Sequence, residues 1–504
     1  MVLPFRIGFT LRCKLLALAL MGLGLQGCAS DALQHAPQSA AQPWRAVSAD
    51  TQATHESLPP DFSVGPDVNA SQLPPEPVLQ QDHPYTLYEL IDLAQRENPS
   101  TRLAWNTARQ AALAQGMVES TFLPVLSARV IGGWGRSRTP ITLPFIGQTD
   151  IDSRAQGVVP ALALEWLVFD FGQRRAIAKG TEHLAYAANV LFNASHQKVI
   201  RDVVHAYYHY GLGRERVRIT EQGQSNAEHI AKAVQARYEA GIGTSVEAAL
   251  ARQHVAQARL RKVTAEGLRT TSYQQVLAAV GVPGKQRIQV SMQMSQPLSA
   301  VSAELTDQAI QQALSQRPDV LASYATLQAA HQDVKAAEAE FSPKIFMAGV
   351  VAHNRGSVGL NNLPDWQRRS YPSALLLGLN FPIFDAGLRS ARLKDAQIHV
   401  SKAQDMLQKL QQDAMREMIA MHASLRSSLA AYEAAGELEE AAQLAYDAAL
   451  EAYTHGVGTV TLAHEAANGL LDAQLARADA HVAALSSAAD LAFLMGEMTR
   501  APSP

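Results

Sequence analysis

Cysteine is almost missing: Cys13 and Cys28 are the only two in 504 residues. That excludes a disulfide scaffold, a CxxC redox centre and a cysteine-based zinc site. An excess of positive charge is missing too. Lys and Arg number 43 against 46 Asp and Glu, a formal net charge of -3, which leaves no global footprint for nucleic acid. Aromatic residues are scarce at 6%. Proline is absent from two runs, Ala161–Val282 and Ile383–Ala501, each about 120 residues long. One proline costs ~3 kcal/mol inside a helix, and Ala, Leu, Gln, Glu, Arg and Lys dominate both runs. Each run therefore reads as very long helices. Their apolar stripes are narrow: Val199, Val203, Ala206 and Tyr210 recur at helical spacing, as do Leu425, Leu429, Tyr432 and Gly436.

What is present begins with an address. Arg6, Arg12 and Lys14 precede an apolar stretch, Leu15–Leu25. It is too short to span a bilayer of about 30 Å as a helix, and residues 1–27 read as a secretory signal. The stretch ends in Leu25-Gln26-Gly27-Cys28, the pattern of a bacterial lipoprotein processing site. The expectation is cleavage before Cys28 and a covalent lipid on its sulfur, a firm anchor at ~0.8 kcal/mol per buried CH₂. Ala29 and Ser30, rather than Asp, follow the Cys and favour the outer membrane. Residues 28–82 are rich in Pro, Ser, Ala and Gln and read as an extended arm.

The rest of the chain is written twice. Asn98-Pro99-Ser100 matches Arg317-Pro318-Asp319, and Phe122-Leu123-Pro124 matches Phe341-Ser342-Pro343, both at an offset of 219. Downstream the offset is 215. Phe169-Asp170-Phe171-Gly172 matches Phe384-Asp385-Ala386-Gly387, and Gly241-Ile242-Gly243-Thr244 matches Gly456-Val457-Gly458-Thr459. One four-residue length change accounts for the difference. The first copy spans 83–284, a linker 285–303, the second copy 304–498 and a tail 499–504. Each copy predicts a helix, two β segments, a long helix, a glycine turn and a returning helix. The strands are expected at about 125–136 and 156–169, then 344–354 and 373–381, with polar loops at 137–154 and 355–372. These lengths suit transmembrane strands of ~9–11 residues. Four strands cannot close a barrel, and open edges are forbidden in lipid, so a membrane-spanning sheet demands oligomerisation. Trp134, Trp166, Phe169, Phe381 and Phe384 are candidates for an aromatic girdle. The other reading of these segments is a small soluble β subdomain capping a helical bundle.

This duplicated grammar, with the Pro382–Arg389 segment and the processing site, resembles the TolC-like outer-membrane factor (outer membrane efflux protein) family, and within it the lipidated OprM/NodT-type subgroup. The resemblance covers about 83–498. It implies a mainly α fold with a small transmembrane β part. A homotrimer would close a twelve-stranded barrel continued by a periplasmic α-helical barrel. It also implies an exit duct for drugs or other exported substrates, working passively with a periplasmic adaptor and an inner-membrane pump, by subgroup a proton-driven one. The expected location is the cell outer membrane, reaching into the periplasm.

Mechanical roles follow by position. Asp170 and Gly172, and Asp385 and Gly387, match the strand-to-helix elbow, Asp as N-cap and Gly at the bend. Gly241, Gly243 and Thr244, and Gly456, Gly458 and Thr459, match the periplasmic tips that contact the adaptor; their plain reading is two helix-hairpin turns. Glu247 and Glu465 are aperture candidates, each giving a ring of three carboxylates in a trimer. The family often has Asp there, whereas Leu250 and Leu462 occupy the complementary positions here. No catalytic constellation, metal motif or cofactor site emerges, and no enzyme is expected. His205 and His209 stand at helical spacing, but no local acid completes a metal motif. Two other functions fit the same grammar: the outlet of a type I protein or peptide secretion system, and a non-channel helical tether.

Overall fold

The computed structural model describes residues 83–143, 145, 147–293, 305–360 and 364–498, with isolated positions at 36, 39, 40, 70–73, 77 and 79. The signal, Cys28 and most of the arm lie outside the described residues. The chain divides after Pro75, and every element described below belongs to the second unit.

In the first copy, β1 (Pro84–Tyr85) leads to α1 (Leu87–Glu97) and α2 (Pro99–Ser120), then β2 (Val125–Leu143), β3 (Gly147–Phe169), α3 (Gln173–Glu239) and α4 (Ser245–Val280). In the second, β4 (Gln289–Val290) precedes α5 (Asp307–Gln316) and α6 (Pro318–Ala339), then β5 (Lys344–Ala352), β6 (Asn354–Leu360), β7 (Trp366–Ser370), β8 (Ser373–Asn380), α7 (Leu388–Thr454) and α8 (Val460–Leu494). The duplication is visible in the lengths: α3 and α7 have 67 residues each, α4 and α8 have 36 and 35. At ~1.5 Å per residue the two long helices run on the order of 100 Å.

These helices bury mainly alanine and a few Val, Ile and Leu, because small side chains let neighbouring backbones close in. Gly213 marks the limit. A Cβ there would lie 2.8 Å from Ser272 Oγ and 3.0 Å from Arg269 Cα across the α3–α4 seam. In the half nearer the sheet, α3 packs between α2 and α6, and α6 against α7; in the other half α3 packs between α4 and α8, and α8 against α7. The slab is thus four helices wide throughout. A waist cluster joins the halves: Leu90 of α1, Val203 and Tyr207 of α3, Leu277 and Val280 of α4, and Val482 of α8. The segment read as a linker begins there as packed structure. Ile288 is buried, β4 pairs parallel with β1, and the Tyr207 hydroxyl donates to Ser291 O and accepts from Gln293 N.

The β part is longer than the sequence suggests. The expected loop at 137–154 is mostly strand: β2 and β3 form one antiparallel hairpin with pairing from Val125↔Glu165 to Leu143↔Gly147. The second expected loop likewise contains β6 and β7. From Leu167 to Ser153 the ladder of β3 with β5 and β6 keeps one register, interrupted opposite Pro160, which has no N–H to give and accepts from His353 N; nearer the helices it shifts between Leu167 and Phe169. The spatial order is β2, β3, then β5 with β6, then β8 with β7. Among the described residues, the outer edges of β2 and of β7–β8 pair with nothing.

Candidate functional site

Three places in each copy matter: the sheet faces, the elbow where strand becomes helix, and the tip where the helices turn.

Strand alternation and register sort the sheet into two unlike faces. One carries Leu126, Val130 and Trp134 of β2, Leu162 and Leu164 of β3, Val351 of β5, and Leu375, Leu377 and Leu379 of β8. Most of these apolar side chains are exposed, Trp134 by 85%. The other face is rich in Ala, Ser and Gly and holds an Arg129–Glu165 ion pair at 3.0 Å. An apolar band on one face and an ion pair on the other are what lipid and water require of a barrel wall. Of the expected girdle, Trp166, Phe169, Phe381 and Phe384 lie at the helix end of the sheet and Trp134 toward the far end. Trp166 Nε1 donates to Phe122 O at 2.8 Å, which satisfies the indole.

At the first elbow the N-cap is Gly172 itself, at φ +96°. Asp170 sits two residues earlier and still does the capping. Its carboxylate accepts from Gly172 N, Arg174 N and Arg174 Nε at 3.3, 3.0 and 2.7 Å. Arg174 also donates to Thr121 O and lies 4.9 Å above the Phe122 ring. The second elbow repeats this. Gly387 has φ +87°, Asp385 takes Gly387 N, Arg389 N and Arg389 Nε at 3.1, 3.1 and 2.6 Å, and Arg389 lies 5.3 Å from the Phe341 ring. The Phe of each F-x-P motif is thus the platform for the arginine of its own copy. Neither arginine was singled out from sequence, although the shared Asp-x-x-x-Arg spacing was there to read.

At the tips, Gly241 and Gly456 adopt φ +77° and +82°. Ile242 N and Gly243 N converge on Arg237 O at 3.0 and 3.1 Å; Val457 N and Gly458 N converge on Ala452 O at 3.0 and 2.9 Å. Thr244 and Thr459 cap the returning helices through Glu247 N and Leu462 N. The two tips part at the next step. Glu247 closes a capping box, accepting from Thr244 N at 2.8 Å, whereas Leu462 stands at the equivalent position. Glu247 therefore carries a helix-capping duty, and Glu465 is exposed one turn further along α8. Ile242 and Val457 at the apices are 70% and 84% exposed. Behind them Ile230, Val234, Tyr446, Tyr453, Val460 and Leu470 form a core shared by both hairpins. Arg237 reaches across to stack over Tyr453 at 5.4 Å.

Two further links between hairpins have no sequence signal. His254 of α4 stacks on the buried His464 of α8 with centroids 4.0 Å apart, and Arg261 donates to Asn468 at 2.9 Å. Burial, with His254 adding to it, pushes His464 down to about 4. His205, for which no local acid completes a metal motif, meets an acid in space: Asp490 of α8 lies 2.9 Å away and is shared with Arg201. Among the described residues, no group of three or more His, Cys, Asp or Glu is placed to hold a metal.

The sequence model described as outer membrane efflux protein matches residues 90–282 and 309–497, one match per copy. The chain belongs to the outer membrane efflux protein family. It is 25% identical to Protein CyaE of Bordetella pertussis over 378 residues, covering 75% of this chain and 77% of that protein. It is 22% identical over 422 residues to the toluene efflux pump outer membrane protein TtgC of Pseudomonas putida, covering 82% and 83%. The crystal structure of the Campylobacter jejuni CmeC outer membrane channel superposes with a TM-score of 0.69 at 19% identity, over 82% of this chain and 85% of that one. The fold is that of the TolC-like channels, and this outer membrane efflux protein is a membrane channel component rather than an enzyme. The protein belongs in the outer membrane and extends into the periplasm, and the apolar sheet face is the one suited to lipid.

Proposed function

We propose that three copies of this chain close edge to edge into one duct, twelve strands in the outer membrane and a helical tunnel below. The duct passively conducts substrates delivered by an inner-membrane pump through a periplasmic adaptor. The observation that carries the reading is the pair of open lateral edges. Edge β2 lies on the same side of the slab as α2 and α4, and β7–β8 lies on the side of α7. Unpaired strand edges are not tolerated in lipid, so the two edges must meet in neighbouring copies. The relative named a toluene efflux pump outer membrane protein favours a small-molecule efflux partnership, and the pump proposed for it is a proton-driven one. In this reading Cys28 carries the lipid anchor, the Gly-Thr tips seat the adaptor and Glu465 faces the closed aperture.

Conductance of the purified protein in planar bilayers, with mass measurement of the oligomer, tests the duct. Trimers with discrete conductance support it, and monomers without conductance overturn it. The partner is identified by crosslinking in cells from Ile242→Cys and Val457→Cys. These exposed apices are preferable to Gly243 and Gly458, where a Cβ would lie 3.0 Å from helix backbone.

A further inference from the structure

The lipid face of the sheet does not end in apolar residues. Continuing each strand away from the helices, the same face carries Arg136, Arg154, Arg355 and Arg369, with Arg138 one step beyond. The register sets them side by side. Arg136 stands directly opposite Arg154, and Arg355 directly opposite Arg369. Like charges in directly opposed cross-strand positions destabilise a sheet. Two such pairs, in neighbouring strands of one face, need a counter-charge.

The chain supplies only part of it. Asp152 takes Arg136 and Arg138 at 3.1 and 2.9 Å, and Asp150 lies near Arg138 on the same face. Asp365 sits over Gly359, beside Arg154. Arg154, Arg355 and Arg369 are exposed, and no ion pair is formed by any of them among the described residues. Their height is set by the strands. From Val125 to Arg136 and from Lys344 to Arg355 the chain advances about eleven residues, which at ~3.4 Å each and a tilt of ~40° is a rise of roughly 28 Å. The apolar band of such barrels is ~25 Å tall. The arginines therefore stand at the outer rim of the band, above Val130, Leu162 and Leu375, with Trp134 at the boundary. A cavity of about 340 Å³ opens there between Trp134, Arg136, Arg154, Gln156, Ser357 and Asp365.

We propose that this rim binds the phosphates of a phosphorylated glycolipid in the outer leaflet, whose acyl chains lie along the apolar band beneath. The chemistry is specific to that arrangement. Guanidinium groups grip phosphate bidentately, and a lipid alone brings phosphate and hydrocarbon to the two adjoining strips of one surface. The inference rests on the sheet being a membrane barrel, which conductance reports separately.

The test uses the full-length protein in nanodiscs of phosphatidylcholine, with hexa-acylated bisphosphorylated lipid A as the probe. Lipid A retained by the oligomer is counted by native mass spectrometry. Wild type should retain it at least about fivefold better than R154Q/R355Q/R369Q, in line with the loss of charge-assisted contacts. The lysine version of the triple variant should fall between them, and R129Q, on the opposite face, should match wild type. Equal retention by the triple Gln variant with conductance intact overturns the proposal while leaving the channel standing. Equal retention of fully dephosphorylated lipid overturns it as well, since acyl chains would then suffice. Displacement of lipid A by millimolar inorganic phosphate would assign the rim to a soluble anion and overturn the lipid assignment. Should the triple variant fail to assemble, R355Q alone supplies the comparison, with a smaller drop expected and none overturning the proposal.

Discussion

Asp170 and Arg174 meet at 2.7 Å with side chains only 7% and 10% exposed, directly where a membrane strand hands over to a helix of 67 residues. The matching Asp385–Arg389 contact has the same geometry, but its Asp side chain is 26% exposed. Breaking a buried pair by removing one partner costs about 3–5 kcal/mol, and partial exposure reduces that. Asp170→Asn should therefore lower the thermal stability of the assembled protein more than Asp385→Asn. Equal melting shifts would mean that burial does not distinguish the two elbows.

The tips separate conformational from steric cost. Gly241 has open space for a Cβ but sits at positive φ, so Gly241→Ala should cost ~1–2 kcal/mol of local stability and Gly241→Asn less. Gly458→Ala drives a Cβ to within 3.0 Å of Tyr453 N and Ala452 C and should distort the turn itself. Hydrogen exchange at the turn amides of each tip, 242 and 243 in the first and 457 and 458 in the second, reads the difference, with Gly458→Ala expected to be the more disruptive.

Glu247 and Glu465 should respond differently to removal. Glu247→Ala opens a capping box and should fray the first turn of α4, at a cost of about 1 kcal/mol. Glu465→Ala leaves the cap of α8 intact, because Thr459 caps that helix alone. If Glu465 lines the aperture, its loss should alter conductance and weaken cation preference. Unchanged conductance and unchanged drug influx would remove Glu465 from the aperture.

The stacked histidines predict an acid-sensitive region next to the tips. His464 is held at about 4, below its unfolded value of ~6.5. The unfolded chain then binds more protons than the folded one between those values, so the contribution is fully present above pH ~6.5 and is lost as pH falls toward 4. His464→Phe should flatten this part of the stability profile. A profile identical to wild type between pH 4 and 6.5 would show that the pair is not the source.

The long helices and the duplication were legible because they rest on absences and spacings: two proline-free runs and motifs returning at fixed offsets. The far parts of the strands were not. In 137–143 and 147–155, Ser, Thr, Arg and Asp alternate with few apolar residues; the apolar face of the sheet ends before them, and the period-two signal fades. Glu247 is legible as a residue, but its position after the turn suits an aperture and Thr244-x-x-Glu247 equally spells a capping box. The stack of His254 on His464 depends on α4 and α8 reaching toward each other past α3, and nothing in one strand of text brings residues 210 positions apart together.

The two open edges of the slab also make assembly count. In the proposed barrel, one copy, or two, would present the part of the β2 and β8 edges that lies within the apolar band to hydrocarbon, and each unsatisfied backbone group costs several kcal/mol there. Each joining pairs two edges, and only the closed ring leaves none open. In the proposed trimer the bilayer itself therefore selects against partial rings and favours completion of the ring.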